Sequence, residues 1–152
     1  MKKQRLITLF VCILLCLQLV SCKKEAELHN GYYTAEASEY NFGWKEHVTI
    51  CVMNNQIVSV EYNAENASGF IKSWDLAYMR NMDMVTGTYP NKYTREYAQM
   101  LLEDQGADHI DAVSGASTSY ESFMRLSAAV LEQARKGDTT VAVVDIPHEE
   151  EE

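Results

Sequence analysis

Residues 48–62 read VTICVMNNQIVSVEY and consist of two apolar runs separated by an Asn-Asn pair. In both runs apolar and polar residues alternate, which is the pattern of β-strands with one buried face. The alternating apolar positions are Val48, Ile50, Val52, Val58, Val60 and Tyr62. Asn tolerates the left-handed backbone of a tight turn, so Asn54 and Asn55 are expected to close a β-hairpin. The stretch therefore predicts an antiparallel sheet.

Further strand and helix signals surround this hairpin. Tyr32, Tyr33 and Thr34 have strand propensity, and the β-branched run in residues 139–146 predicts a last edge strand. Helical spacing predicts helices within residues 74–84, 93–102 and 118–136, with a loop over residues 64–73. The first of these helices is expected to end at Gly87 and Pro90, the second near Gly106 and the third at Gly137. This order predicts one small α+β domain, an antiparallel sheet with packed helices.

The first residues have the features of an export signal. Lys2, Lys3 and Arg5 precede an apolar run that is shorter than the roughly 20 residues of a membrane span. The run ends in Leu-Val-Ser-Cys, which resembles a bacterial lipobox cleaved before Cys22. We therefore predict a signal peptide at 1–21, a lipidated tether at 22–29 that holds the chain on a membrane through Cys22, a folded domain at 30–146 and an acidic tail at 147–152.

Charge and cysteine content exclude several classes of function. Cleavage removes three of 13 basic residues and none of the 22 acidic ones, so the net charge falls from −9 to −12, which argues against nucleic-acid binding. Cys51 is then the one cysteine besides Cys22, which leaves no partner for an intramolecular disulfide. Its strand position predicts a buried, inert thiol. The four histidines lack the paired spacing of a metal site.

The turn before the last predicted helix has the composition of an anion site. Residues 111–119 read DAVSGASTS, and Thr118 with Glu121 fits a capping box that would begin the helix at or next to Thr118. A helix N-terminus offers unpaired N–H groups and a positive dipole, and Gly115 and Ala116 leave room for an anion. Nearby hydroxyls come from Ser114, Ser117 and Ser119. On the residues alone, an ordinary N-cap among small polar residues is the alternative.

This stretch resembles the flavinylation motif of the FMN-binding domain family. In that motif an Asp, two variable residues, a Ser or Thr and a Gly-Ala pair precede a Thr or Ser whose hydroxyl forms a phosphoester with FMN. Asp111, Ser114, Gly115 and Ala116 match, and Ser117 takes the acceptor position, where Thr is more common. Weaker matches extend over roughly residues 30–137, which are similar to small FMN-binding lipoproteins of the "major membrane immunogen" type.

The resemblance implies a cofactor, FMN, and a set of residues that would hold it. Ser117 would be the phosphoryl acceptor, and Tyr78 and Met82, together with Tyr89 and Tyr93, would form a wall for the flavin ring, although each also suits core packing. The remaining predicted cofactor-binding residues are Asp111, Ser114, Gly115, Ala116, Thr118 and Ser119. Lys72 and Ser73 would contact phosphate or ring edge. Asp111 would orient the loop, hold Mg²⁺ or polarise the Ser117 hydroxyl during modification.

The expected function is that of an exported, lipid-anchored flavoprotein. It would carry electrons on a bacterial cell membrane or outer membrane, facing outside the cytoplasm, rather than act as a stand-alone enzyme. The implied partners are a flavin transferase that uses FAD and Mg²⁺, redox donor and acceptor proteins or small electron acceptors, and the membrane itself. The alternatives are a lipid-anchored binding or interaction module with noncovalent or no flavin, and an oxidoreductase with its own small-molecule substrate.

Overall fold

The computed structural model describes residues 27–147, so the predicted signal peptide, Cys22 and nearly all of the acidic tail lie outside the described residues. Strands β1 (Gly31–Ala37), β2 (Lys45–Met53) and β3 (Gln56–Glu65) come first along the chain. A single 3-10 turn (Lys72–Trp74) and helices α1 (Leu76–Thr86), α2 (Pro90–Asp104) and α3 (Ser117–Lys136) follow. Strand β4 (Ala142–Val144) ends this part of the chain. The domain is α+β, as expected.

The sheet has the strand order β3-β2-β1-β4. Its first three strands are antiparallel neighbours, as predicted, and β4 pairs with β1 in parallel, so the sheet is mostly antiparallel. The reason for the parallel pair lies in the connection. The three helices carry the chain back across the sheet before β4, and a long crossover of this kind lets two parallel strands become neighbours.

The hairpin forms where the sequence predicts it, but its register contains a bulge. Asn54 and Asn55 both have a positive φ, 53° and 62°, as a tight hairpin turn requires. Between Cys51 and Val52 the pairing shifts, so that Val52 lies opposite Ile57 and Val58 is skipped. Ile57 is therefore buried, whereas Val58 is 46% exposed. The inward position predicted for Val58 is wrong because the bulge exchanges the two faces there.

Helices α2 and α3 cover the inner face of the sheet and form the core with it. The phenyl ring of Phe123 is fully buried, 4.9 Å from the ring of Tyr62 and 5.1 Å from the ring of Tyr97, measured between centroids. Such offset aromatic contacts add to the energy of burial. Cys51 is a buried free thiol, as predicted.

The helix ends differ in detail from the sequence expectation. Helix α3 begins at Ser117, with Ala116 as N-cap and no side-chain cap, so the predicted Thr118–Glu121 capping box is wrong. Glu121 instead accepts a hydrogen bond from the guanidinium of Arg125 at 3.0 Å. Pro90 is the first residue of α2, where its missing N–H is not needed. Strand β3 continues to Glu65, which shortens the predicted loop.

The two ends of α3 lie at opposite ends of the domain. Its 20 residues span roughly 30 Å. At the C-terminal end, the N–H of His29 donates to the carbonyl of Ala134 at 2.9 Å, so the chain enters the domain there. Ser117 lies at the other end.

Within residues 27–147 no helix combines the length and apolar character needed to cross a bilayer.

Candidate functional site

A tight turn presents the start of α3. The N–H of Ala116 donates to the carbonyl of Val113 at 3.0 Å, and Gly115 occupies the third turn position with a φ of 78°. Such a φ favours glycine. A Cβ on Gly115 would also lie 2.6 Å from the carbonyl oxygen of Thr86, at the end of α1. Gly115 is therefore required both for the turn and for the close approach of α1.

The hydroxyl group of Tyr97 holds this turn from the core. It accepts a hydrogen bond from the N–H of Val113 at 2.9 Å and donates to the carbonyl of Ala116 at 3.1 Å. Burial raises the pKa of Tyr97, which keeps the donating proton in place. Asp111 is exposed, and its carboxylate accepts no hydrogen bond from residues 27–147. The loop is thus oriented by Tyr97 rather than by the carboxylate.

The first turn of α3 is open toward an anion. Because no side chain caps the helix, the N–H groups of Ser117, Thr118 and Ser119 have no hydrogen-bond partner in the described part of the chain. The side chains of Ser117 and Thr118 are exposed. Unpaired N–H groups at the positive end of a helix dipole are a recurrent phosphate-binding arrangement. An exposed hydroxyl and three unpaired N–H groups therefore coincide at the start of α3.

A cleft of about 210 Å³ lies beside this helix start. Its lining residues are Asn41, Phe42, Trp44, Glu46, Lys72, Tyr78, Met82, Tyr93, Gly115, Ala116, Ser117, Thr118 and Ser119. The lining includes aromatic rings and a thioether, which suit a flat and partly apolar group. Ligand pockets usually measure about 300–1,000 Å³, so a ligand larger than one ring system would lie partly outside this cleft.

The structure brings together most of the residues selected from the sequence and leaves others apart. Tyr78, Met82 and Tyr93 line the cleft together with residues 115–119 of the predicted motif, and Lys72 joins them. Asp111, Ser114 and Tyr89 do not line it. Nor does Ser73, whose buried hydroxyl accepts a hydrogen bond from the amide of Asn63 at 2.9 Å and so supports the 3-10 turn.

Four lining residues are not among the site residues predicted from the sequence, and all lie within residues 41–46, from the loop after β1 to the second residue of β2. Phe42 is 81% exposed and has a positive φ of 49°. Trp44 is buried, with its ring edge-on to that of Tyr78 at 6.2 Å between centroids. Asn41 and Glu46 complete this side. The available signal was Phe-Gly-Trp, two aromatic residues around a turn glycine directly before a strand.

Lys72 supplies a positive charge to the cleft. Its ammonium nitrogen lies 5.2 Å above the centre of the Tyr78 ring, a cation–π distance. Burial lowers the pKa of Lys72, although the carboxylate of Glu46 acts in the opposite direction. Lys72 therefore favours an anionic or electron-rich neighbour.

Glu46 connects the cleft to the core. The hydroxyl oxygen of Tyr62 lies 2.7 Å from a carboxylate oxygen of Glu46 and 3.0 Å from the carbonyl of Ser119, both of which are acceptors. Burial first, and Glu46 second, raise the pKa of Tyr62 well above its usual value.

Among residues 27–147 no three potential metal ligands cluster.

Comparisons with known proteins find relatives both by sequence and by structure. No protein-family model matches the chain. The chain is 35% identical over 126 residues to a 15 kDa lipoprotein of Treponema pallidum, and the alignment covers 82% of this chain and 89% of that protein. A crystal structure of a Clostridium perfringens protein superposes with a TM-score of 0.75 at 32% identity, over 79% of this chain and 99% of the other.

Proposed function

The chain belongs to the family of the Treponema pallidum 15 kDa lipoprotein, and from this premise we propose that it is a lipid-anchored carrier of FMN. In this proposal the cofactor is joined by a phosphoester to the hydroxyl of Ser117. The protein would be attached through lipid on Cys22 to a bacterial cell membrane or outer membrane, outside the cytoplasm. It would accept electrons from one partner and pass them to another.

The observation that carries the proposal is the position of Ser117. Its exposed side chain lies on the uncapped first turn of α3, at the mouth of a cleft lined by Tyr78 and Met82. The phosphate of FMN would meet three free N–H groups, and the ring would meet an aromatic and thioether wall. Resemblance of residues 111–119 to the flavinylation motif points to the same hydroxyl.

The dimensions of the cleft favour covalent attachment over simple binding. A cleft of about 210 Å³ has room for part of FMN, so much of the molecule would remain in contact with water. A partly buried cofactor is lost by dissociation unless a bond retains it, and replacement is difficult outside the cytoplasm. FMN supplies the redox chemistry, while the protein positions it and adjusts its potential. Lys72 would contribute to that adjustment because a nearby cation stabilises added negative charge.

Exposed Asp111 fits this arrangement better than a carboxylate inside the cleft would. Its charge is outside the lining of the cleft, where it would otherwise repel a phosphate. The partners that the proposal requires are a flavin transferase that uses FAD and Mg²⁺ and redox donors and acceptors, either proteins or small molecules.

The mass of the mature chain, produced together with a flavin transferase, tests the proposal. We expect an FMN-sized adduct on the peptide that contains Ser117, a yellow protein, and loss of both in Ser117→Ala. The matched control is Thr118→Ala, which removes the adjacent hydroxyl and should retain the adduct. A colourless, unmodified wild-type protein that also fails to bind added FMN would contradict the proposal and favour the lipid-anchored binding module.

The anchor requires a separate measurement. With a Cys22→Ser variant as control, we expect labelled palmitate to appear in the wild-type chain and not in the variant, and the variant to leave the membrane fraction. Equal membrane retention of both proteins would contradict attachment through Cys22.

A further inference from the structure

Large apolar side chains are exposed on the segments that border the cleft. Residues 27–147 contain twelve strongly exposed large apolar side chains, and seven of them belong to three segments that border the cleft. We call these seven the apolar rim: Tyr40, Phe42, Phe70, Trp74, Leu76, Met84 and Val85. Single exposed apolar residues are ordinary, but a concentration beside a cleft marks an interaction surface.

Helix α1 contributes most to this rim and has an unusual environment. None of its eleven residues is buried. Tyr78 and Met82 face the cleft, whereas Leu76, Arg80 and Met84 follow one another at four-residue spacing on the opposite side. Met84, on that opposite side, is 79% exposed, and Val85, which helical spacing places nearer to the side of Tyr78, is 85% exposed. Both side chains are therefore largely open to solvent.

Helix α1, which carries three of the rim residues, lies against the turn that presents Ser117. The carbonyl of Thr86, at the end of α1, comes so close to Gly115 that a Cβ there would lie only 2.6 Å away. Gly115 lies two residues before Ser117 in the turn that presents it. A protein that acts on the Ser117 hydroxyl would therefore lie next to the end of α1.

We propose that the apolar rim is the docking surface of the flavin transferase, an inference that rests on the proposed function. In the transfer, the pyrophosphate bond of FAD breaks and a bond forms between Oγ of Ser117 and the FMN phosphorus. AMP leaves, and the hydroxyl proton passes to a general base of the transferase. The two proteins must be in contact while this bond forms.

The size of a protein footprint supports this occupant. A specific interface covers about 800 Å² on each partner, equivalent to a disc of roughly 16 Å radius. Helix α1 is about 16 Å long, so a footprint centred on Ser117 extends along the whole helix. Exposed Phe42 lies within the same cleft lining and would also be covered.

The direction of the tether distinguishes this occupant from a lipid surface. The chain enters the domain at the other end of α3, roughly 30 Å from Ser117. The six Cα-to-Cα steps from Cys22 to Leu28 reach about 20 Å when fully extended. An upright domain therefore presents the rim to the aqueous side, where a protein partner can reach it.

The experiment compares two double variants with the same chemistry. Met84→Gln with Val85→Gln changes the rim, and Gln retains helix propensity. Met53→Gln with Val58→Gln makes the same changes at exposed positions outside the rim. With purified transferase, FAD and Mg²⁺, we expect kcat/KM for FMN incorporation to fall about tenfold in the rim variant, mainly through KM, because central apolar contacts dominate protein interfaces. The control should remain within about twofold of wild type.

Each outcome has a distinct meaning. If the wild-type chain is never modified, the proposed covalent function fails and the docking surface with it. If wild type is modified and the folded rim variant is modified at the same rate, the docking proposal alone is overturned. It is also overturned if sedimentation shows a wild-type dimer that the rim variant dissolves, or if the unlipidated domain binds phosphatidylglycerol vesicles through the rim.

Discussion

Helices α1 and α3 meet at the same turn but are stabilised in opposite ways. Helix α3 buries seven of its 20 residues and begins without a side-chain cap. Helix α1 buries none of its 11 residues, and a carboxylate oxygen of Asp75 caps it by accepting the N–H of Tyr78 at 2.9 Å. Packing makes a cap unnecessary in α3, which leaves its first N–H groups available to a ligand. In α1, which lacks buried side chains, the caps carry more of the stability.

This difference predicts unequal local stability. Isolated helices shorter than about 12–15 residues are marginal in water, so α1 depends on its two ends and on the cleft. Segments with few buried contacts open at lower free energies than the core does. The structure therefore combines a rigid support for Ser117 with a more easily opened helix beside the cleft.

Replacement of a core residue of α3 should have the largest effect. Phe123→Ala removes a fully buried ring between Tyr62 and Tyr97, and we expect it to lower the free energy of unfolding by about 3–5 kcal/mol. The matched change in α1 is Met84→Ala, which should change the free energy of unfolding by less than about 0.5 kcal/mol. Urea unfolding of both variants measures the contrast, and similar losses would abolish the distinction between the helices.

The contact between the two helices can be broken at one glycine. Gly115→Ala introduces a Cβ against the carbonyl of Thr86 at a positive φ, and we expect a loss of about 1–3 kcal/mol together with faster hydrogen exchange in α1. Gly87→Ala is the control because it also has a positive φ but no atom within 4 Å of the new Cβ. Gly87→Ala should lower the free energy of unfolding by about 1 kcal/mol. Equal effects would mean that backbone conformation, and not the contact, explains the requirement at Gly115.

Removal of the α1 cap should act locally. Asp75→Ala deletes the acceptor for the N–H of Tyr78, and we expect a cost of about 1 kcal/mol that appears as faster amide exchange in α1. Amides of α3 should keep their wild-type protection. Asp83→Ala, near the C-terminal end of α1, removes the same charge without removing a cap. Protection lost in both helices would show that they open as one unit.

The segment between α2 and α3 should show the smallest effect, which depends on pH. His109 Nδ1 lies 2.9 Å from a carboxylate oxygen of Asp104, and this hydrogen bond raises the pKa of His109 and lowers that of Asp104. The stabilisation from His109 is present below its unfolded pKa and is lost as pH rises through its folded pKa. The contribution of Asp104 is present above its unfolded pKa and is lost as pH falls through its folded pKa.

Both groups are therefore charged between these limits, and the pair is strongest in weakly acidic solution. An NMR titration should give a His109 midpoint above that of a free histidine, and Asp104→Asn should return it toward the ordinary value. An unchanged midpoint in Asp104→Asn would contradict the pairing.

Sequence patterns predict those parts of the fold that residues close together in the sequence determine. The Asn54-Asn55 turn follows from the positive φ that both residues tolerate, and α3 follows from apolar spacing with Gly137 as its stop. The displacement of Val58 could not be predicted, because a bulge depends on how two strands pair. The parallel β4 likewise results from the path of three helices. In each case the determining contact joins residues far apart in sequence.

The candidate site likewise contains features that local sequence predicts and features that only the fold determines. The helix start at Ser117 is visible in residues 111–119, since turn residues precede a periodic segment. Phe42 and Trp44 reach the cleft through the fold, so their spacing in the sequence carries little signal. Tyr97 satisfies a helical core pattern, and the pattern says nothing about a hydroxyl that connects Val113 to Ala116.

Under the proposed function, the length of α3 has a consequence for the source of electrons. Electron tunnelling weakens exponentially with distance, and α3 separates Ser117 by roughly 30 Å from the end at which the chain enters the domain. A quinol dissolved in the bilayer could not reduce a flavin at Ser117 directly while the domain stands upright. The reductant would be a protein that projects beyond the lipid headgroups, or the domain would have to tilt on its tether with every turnover.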